Sequence, residues 1–124
     1  MQKIILLSAS ALGALSVMIG AFGAHALKAS LEASNRLDTF ETAVKYQFYH
    51  TLALLAIGLL MYRLNDKLLD YAGLTMIGGI LVFSGSLYIL CLSGIRWLGA
   101  VTPIGGLLMI AGWVLLFWAI ARAG

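Results

Sequence analysis

Between Lys3 and His25 the chain runs for 21 residues, Ile4 to Ala24, without a charged side chain. As a helix rising 1.5 Å per residue, a run of that length crosses a hydrocarbon core about 30 Å thick. Inside such a core every backbone N–H and C=O must be satisfied within the chain, which restricts spanning structures to helices and closed barrels. Three further apolar blocks of helical length follow. The expectation is therefore an all-α integral membrane protein: four transmembrane helices in an up-down bundle, at about residues 4–26, 39–62, 68–92 and 103–121. A polar connection at about 28–38 joins the first two, and the 124 residues form a single membrane domain. Composition agrees. Charged residues make up 10% of the chain, against about 25% in soluble domains.

The first block also invites a secretory reading, with Lys3 as a basic start and Ala24-His25-Ala26 as a cleavage-like site. Its apolar run is longer than the roughly 7–15 residues of a signal core, so it is read as the first span. Ala9, Gly13, Ser16, Gly20 and Gly23 recur at spacings of three and four and form one narrow stripe. Membrane helices associate through close packing, which small residues permit. The stripe is thus a packing surface, for a helix of the same chain or of a neighbouring copy. In a regular helix His25 would point about 160° from it, at 100° per residue. Either His25 meets a different neighbour or the backbone changes course at Gly23.

Lys28 to Leu37 reads equally well as a short interfacial helix or as a solvated loop. Asp38 then reads as a helix N-cap, with Glu41 three residues on in the manner of a capping box, and Glu41 precedes Lys45 in the favourable i, i+4 order. From Phe48 to Tyr62 the second span has 15 residues without formal charge, taking His50 as neutral. That is roughly 22 Å of helix, too short to cross alone. Val44 to Gln47 are drawn into the membrane, and Lys45 and His50 go with them. Lys45 can extend its ammonium back to water; His50 lies deeper and needs a partner. Tyr46 and Gln47 share its face. Together with His25 and Tyr88 they form a candidate binding or polar cluster. Such a group reads first as helix-linking hydrogen bonds with an interfacial tyrosine belt, and alternatively as a ligand or proton site.

In the third span Gly78, Gly79, Gly85 and Ser86 give another small-residue surface, and Tyr88 must face protein to pair its hydroxyl. The fourth span opens with Thr102 as cap and Pro103 in the first helical position; Trp113 and Trp118 suit the lipid boundary. Cys91 is the only cysteine, so no internal disulfide exists, and no metal-ligand or cofactor spacing is present. The pI near 9.3, with connections this short, indicates membrane-surface electrostatics and not nucleic-acid binding. Lys3, Arg63, Lys67 and Arg122 lie on one side, against Lys28, Arg36 and Arg96 once Lys45 is set aside as a helix residue. That balance places both termini in the cytoplasm. No internal duplication of the first two spans is found in the last two.

Gly20-Ala21-Phe22-Gly23-Ala24-His25-Ala26-Leu27, Phe40 with Tyr46-Gln47-Phe48-Tyr49-His50, Gly85-Ser86-Leu87-Tyr88, and Thr102-Pro103-Ile104-Gly105-Gly106 with Gly112-Trp113 follow in order along the chain. In this the sequence resembles the small bacterial membrane protein family that includes YgdD and YwdK. The resemblance implies four spans in the bacterial inner membrane. It implies no settled activity and transfers no functional residue. Two functions fit these residues. The first is a non-enzymatic membrane component, touching lipid and forming homo-oligomers through its small-residue faces. The second is a binder or carrier of a small molecule, metal ion or proton, at a pocket between the first three spans. No carboxylate dyad, cysteine pair or haem-ligand pair recommends an enzyme.

Overall fold

The computed structural model describes residues 1–123. Every regular element among them is helical: α1 Gln2–Ala24, α2 Lys28–Ala33, α3 Leu37–Leu60, α4 Lys67–Ser93, a 3-10 turn over Arg96–Ala100, and α5 Thr102–Ala121. Helices α1, α3 and α4 and the stretch from the 3-10 turn through α5 are each long and apolar enough to span a membrane. α3 is the most polar of them, with a mean hydropathy of 1.2 in its best window against 2.0–2.2 for the others.

The polar connection is the short helix α2. It ends in a Schellman motif: Asn35 takes the left-handed conformation at φ 56°, Asn35 N–H donates to Glu32 O, and Arg36 N–H donates to Leu31 O at 2.8 Å. That motif settles where α3 starts. Arg36 closes one helix and immediately becomes the N-cap of the next, with no side-chain cap bond. The capping box expected of Asp38 and Glu41 is therefore absent; Asp38 lies inside the first turn, and the helix begins two residues earlier than its sequence signal. At α4 the side-chain cap is real: Asp66 accepts from Leu68 N–H at 2.9 Å. Gly94, left-handed at φ 75°, ends that helix. Thr102 is not the cap of α5. Val101 holds that position, while the Thr102 hydroxyl bonds Leu98 O and lies 2.7 Å from Ser86 Oγ, tying α5 to α4.

Consecutive spans pack antiparallel, and glycines set the spacing. On α1, Gly23 lies against the Phe40 ring, Gly20 opposite Val44 and Gly13 opposite Thr51, while Gly58 of α3 receives Leu6 and Ile5. The stripe Ala9, Gly13, Ser16, Gly20 and Gly23 is thus used inside the chain, as the seat of α3. The α4–α5 contact is closer still. A Cβ on Gly105 would stand 2.3 Å from Phe83 N, one on Gly79 would stand 2.9 Å from Met109 N, and one on Gly112 would meet Met76. Gly85, by contrast, faces open space.

The spans form an open row in chain order, α1–α3–α4–α5, with each packed mainly on its neighbours and no substantial contact between α1 and α5. Burial follows that order. Nine of 24 residues are buried in α3 and eleven of 27 in α4, but only four of 23 in α1 and five of 20 in α5. One apolar core joins Ile5, Leu54, Ile57, Leu69 and Met76; a smaller one beneath α2 joins Leu31, Phe40 and Cys91.

Because backbone, not a flexible side chain, stands opposite Gly105, Gly105→Ala must push α4 and α5 apart. The expected loss is about 1–3 kcal/mol, seen as a lower thermal midpoint in detergent. Gly85→Ala, with nothing to displace, leaves the midpoint unchanged or raises it, since alanine is the better helix former by up to about 1 kcal/mol.

Candidate functional site

α3 places its buried polar residues on adjoining parts of one face, with different partners. Gln47 is buried and bridges three spans: its Nε2 donates to Leu12 O of α1 at 3.1 Å, and its Oε1 accepts from the Tyr88 hydroxyl of α4 at 2.5 Å. Tyr88 and Gln47 start at different heights. Helical side chains lean toward their own N-termini, and in antiparallel helices that brings these two together. Ser84 Oγ donates to Ala43 O at 2.7 Å and ties the same helix pair again.

Beside Gln47, Tyr46 stacks on Phe83, with ring centroids 4.9 Å apart, and on His50 at 6.0 Å; Trp113 of α5 meets His50 edge-on at 5.9 Å. His50 Nδ1 donates to Tyr46 O at 2.7 Å, which fixes its ring proton on that nitrogen. Trp113, expected at the lipid boundary, instead sits at mid-height against this imidazole. Thr51 Oγ1 is the one buried side-chain polar atom without a partner among the described residues.

The five residues His25, Tyr46, Gln47, His50 and Tyr88 do not share a pocket. His25 caps the end of α1 and is exposed, in a shallow groove with Met18, Ala21, Phe22 and Ala26. The antiparallel register of α1 and α3 puts His50 near the height of Ala14, so the two imidazoles stand roughly 16 Å apart along the helix axis. Tyr88 lines a separate apolar groove with Ile19, Phe22, Leu27, Phe40 and Leu92. Nor do Glu41 and Lys45 form the expected ion pair. The ion pairs among the described residues are Lys28–Glu32 and Asp66–Arg122. No group of three or more His, Cys, Asp or Glu capable of holding a metal ion occurs among the described residues.

The Asp66–Arg122 link went unforeseen in the sequence, where Arg122 is only a terminal charge. Arg122 Nε and Nη2 donate to both carboxylate oxygens at 2.7 and 2.6 Å, and the guanidinium lies 5.6 Å from the Trp118 ring. These bonds, Arg122 first and then Leu68 N–H, hold the Asp66 carboxyl at about 2, below its ordinary 3.8.

The Gln47–Tyr88 bond should be measurable. Gln47→Leu and Tyr88→Phe, alone and together, form a double-mutant cycle whose expected coupling is about 0.5–2 kcal/mol in thermal or denaturant unfolding; additive losses would mean that the bond contributes nothing. A carboxyl held low in the folded state stabilises it above the ordinary pKa and ceases to do so as pH falls through the folded one. Wild type should therefore lose more thermal stability than Asp66→Asn between pH 4 and pH 2.

The chain matches a family described as protein of unknown function, DUF423, over residues 19–106. It is 49% identical to the UPF0382 membrane protein SH2409 of Staphylococcus haemolyticus, over 85% of this chain and 88% of that one. It is 39% identical to the UPF0382 membrane protein YwdK of Bacillus subtilis, over 87% and 88%. To the UPF0382 inner membrane protein YgdD of Escherichia coli K12 it is 37% identical, over 93% and 87%. No solved structure matches. With four spans of membrane length and these relatives, the chain belongs to the DUF423 (UPF0382) family of bacterial membrane proteins, whose function is unknown.

Proposed function

We propose that the protein is a non-enzymatic membrane component, a helical scaffold that assembles with further copies of itself. The observation that carries this reading is the open row. α1 and α5 bury four of 23 and five of 20 residues, and large apolar side chains such as Leu7, Val17, Leu107, Val114 and Phe117 point outward. The faces offered to a second copy are therefore these outer ones, because the small-residue stripes already seat α3 on α1 and α5 on α4. The polar residues inside the spans favour the same reading. Gln47, Tyr88 and Ser84 are engaged in links between spans, and His50 is bonded to its own helix and boxed by rings. A carrier with a shared His/Tyr/Gln pocket receives less support, since His25 stands apart at the end of α1 and Gln47 and His50 are already bonded to protein.

Cysteine cross-linking tests the assembly. In a Cys91→Ala background, single cysteines at Val17 and Val114 should give cross-linked dimers in native membranes, and one at buried Ala53 should give none. Monomer alone at both outer positions, together with a monomer mass in mild detergent, overturns the reading.

A further inference from the structure

Where α1 ends, a cleft of about 170 Å³ opens between it and α3, lined by Gly20, Gly23, Ala24, Phe40, Glu41, Val44 and Lys45. An engineered protein cavity of about 150 Å³ takes a benzene, so this one suits a small head group or the first segment of a chain and not a whole lipid. Gly20 and Gly23 bring the α1 backbone close to Val44 and Phe40 at its floor, and the walls are apolar apart from Glu41 and Lys45. Those two charges stand one turn apart on α3, yet neither pairs with the other nor with any other described residue. The antiparallel register puts Glu41 level with the last turn of α1, at the membrane boundary. Lys45 is about 6 Å deeper, a depth from which its long side chain can return the ammonium to water. Asp38 lies a further turn out.

We propose that this cleft binds the head group of an ethanolamine-type phospholipid, a zwitterion with a primary ammonium and a phosphate. Its phosphate bonds the Lys45 ammonium and its ammonium bonds the Glu41 carboxylate, so each charge meets its opposite at the membrane boundary. The acyl chain continues along the apolar edge beside Gly20. Charge pattern sets the preference. A glycerol head group carries phosphate without an ammonium and leaves Glu41 unmatched; a choline head group has no N–H to donate.

The test is native mass spectrometry of the full chain in mild detergent with equimolar dioleoyl phosphatidylethanolamine, phosphatidylglycerol and phosphatidylcholine. Wild type should retain the ethanolamine lipid in preference to the other two. Glu41→Gln and Lys45→Gln should each weaken that retention about tenfold, the effect of one lost charge-assisted hydrogen bond. Glu32→Gln, which touches only the outer Lys28 pair, should leave it unchanged. Glu41 and Lys45 are exposed, so neither variant opens the core, and an unchanged thermal midpoint confirms that each folds. Equal retention of the three lipids by wild type, or full retention by both cleft variants, overturns the proposal. Displacement of the lipid by soluble phosphoethanolamine at matched concentration would reassign the cleft to a free zwitterion and overturn the lipid assignment.

Discussion

The side chain of Gln47 joins three of the four spans, and the reason is the solvent. In hydrocarbon an amide that fails to find partners costs several kcal/mol, so a glutamine in the interior of a span must be answered by protein. Here Leu12 of α1 supplies the acceptor and Tyr88 of α4 the donor. Both answers come from the two helices that flank α3. The most polar span occupies an inner place in the row, while the most apolar ones, α1 and α5, stand at its ends facing lipid.

Around that linkage the helices are brought close by the absence of side chains. Phe40 enters the space left by Gly23, Ile5 and Leu6 lie over Gly58, and the α5 backbone at Gly105 reaches the α4 backbone at Phe83. Lipid tails provide no hydrophobic drive for helices to associate, so contact area and fit take its place. Glycines concentrate where two backbones approach, and where none approaches, as at Gly85, a glycine serves no packing purpose.

Much of this was legible in the residues. Uncharged runs of membrane length mark the four spans, and the shortness of the run after Phe48 rightly implies that Gln47 and His50 shelter among helices. Tyr88 turns inward as its hydroxyl requires. What the residues did not disclose depends on register between helices. The meeting of Tyr88 with Gln47, the placing of Trp113 against His50, and the separation of His25 from His50 follow only once the antiparallel pairs are aligned. The start of α3 was missed for a local reason: the left-handed turn at Asn35 overrides the capping signal of Asp38. Arg122 meets Asp66 across 56 positions, and no pattern along the chain announces it.

A row without a closing contact has a consequence for biosynthesis. Each span after the first packs on the one made just before it, so no helix need wait at the translocon for a distant mate. The glutamine bridge is completed when α4 arrives, and the last span then docks on a surface already assembled. Order of emergence and order of packing coincide, and the chain can acquire its tertiary structure while it is still being synthesised.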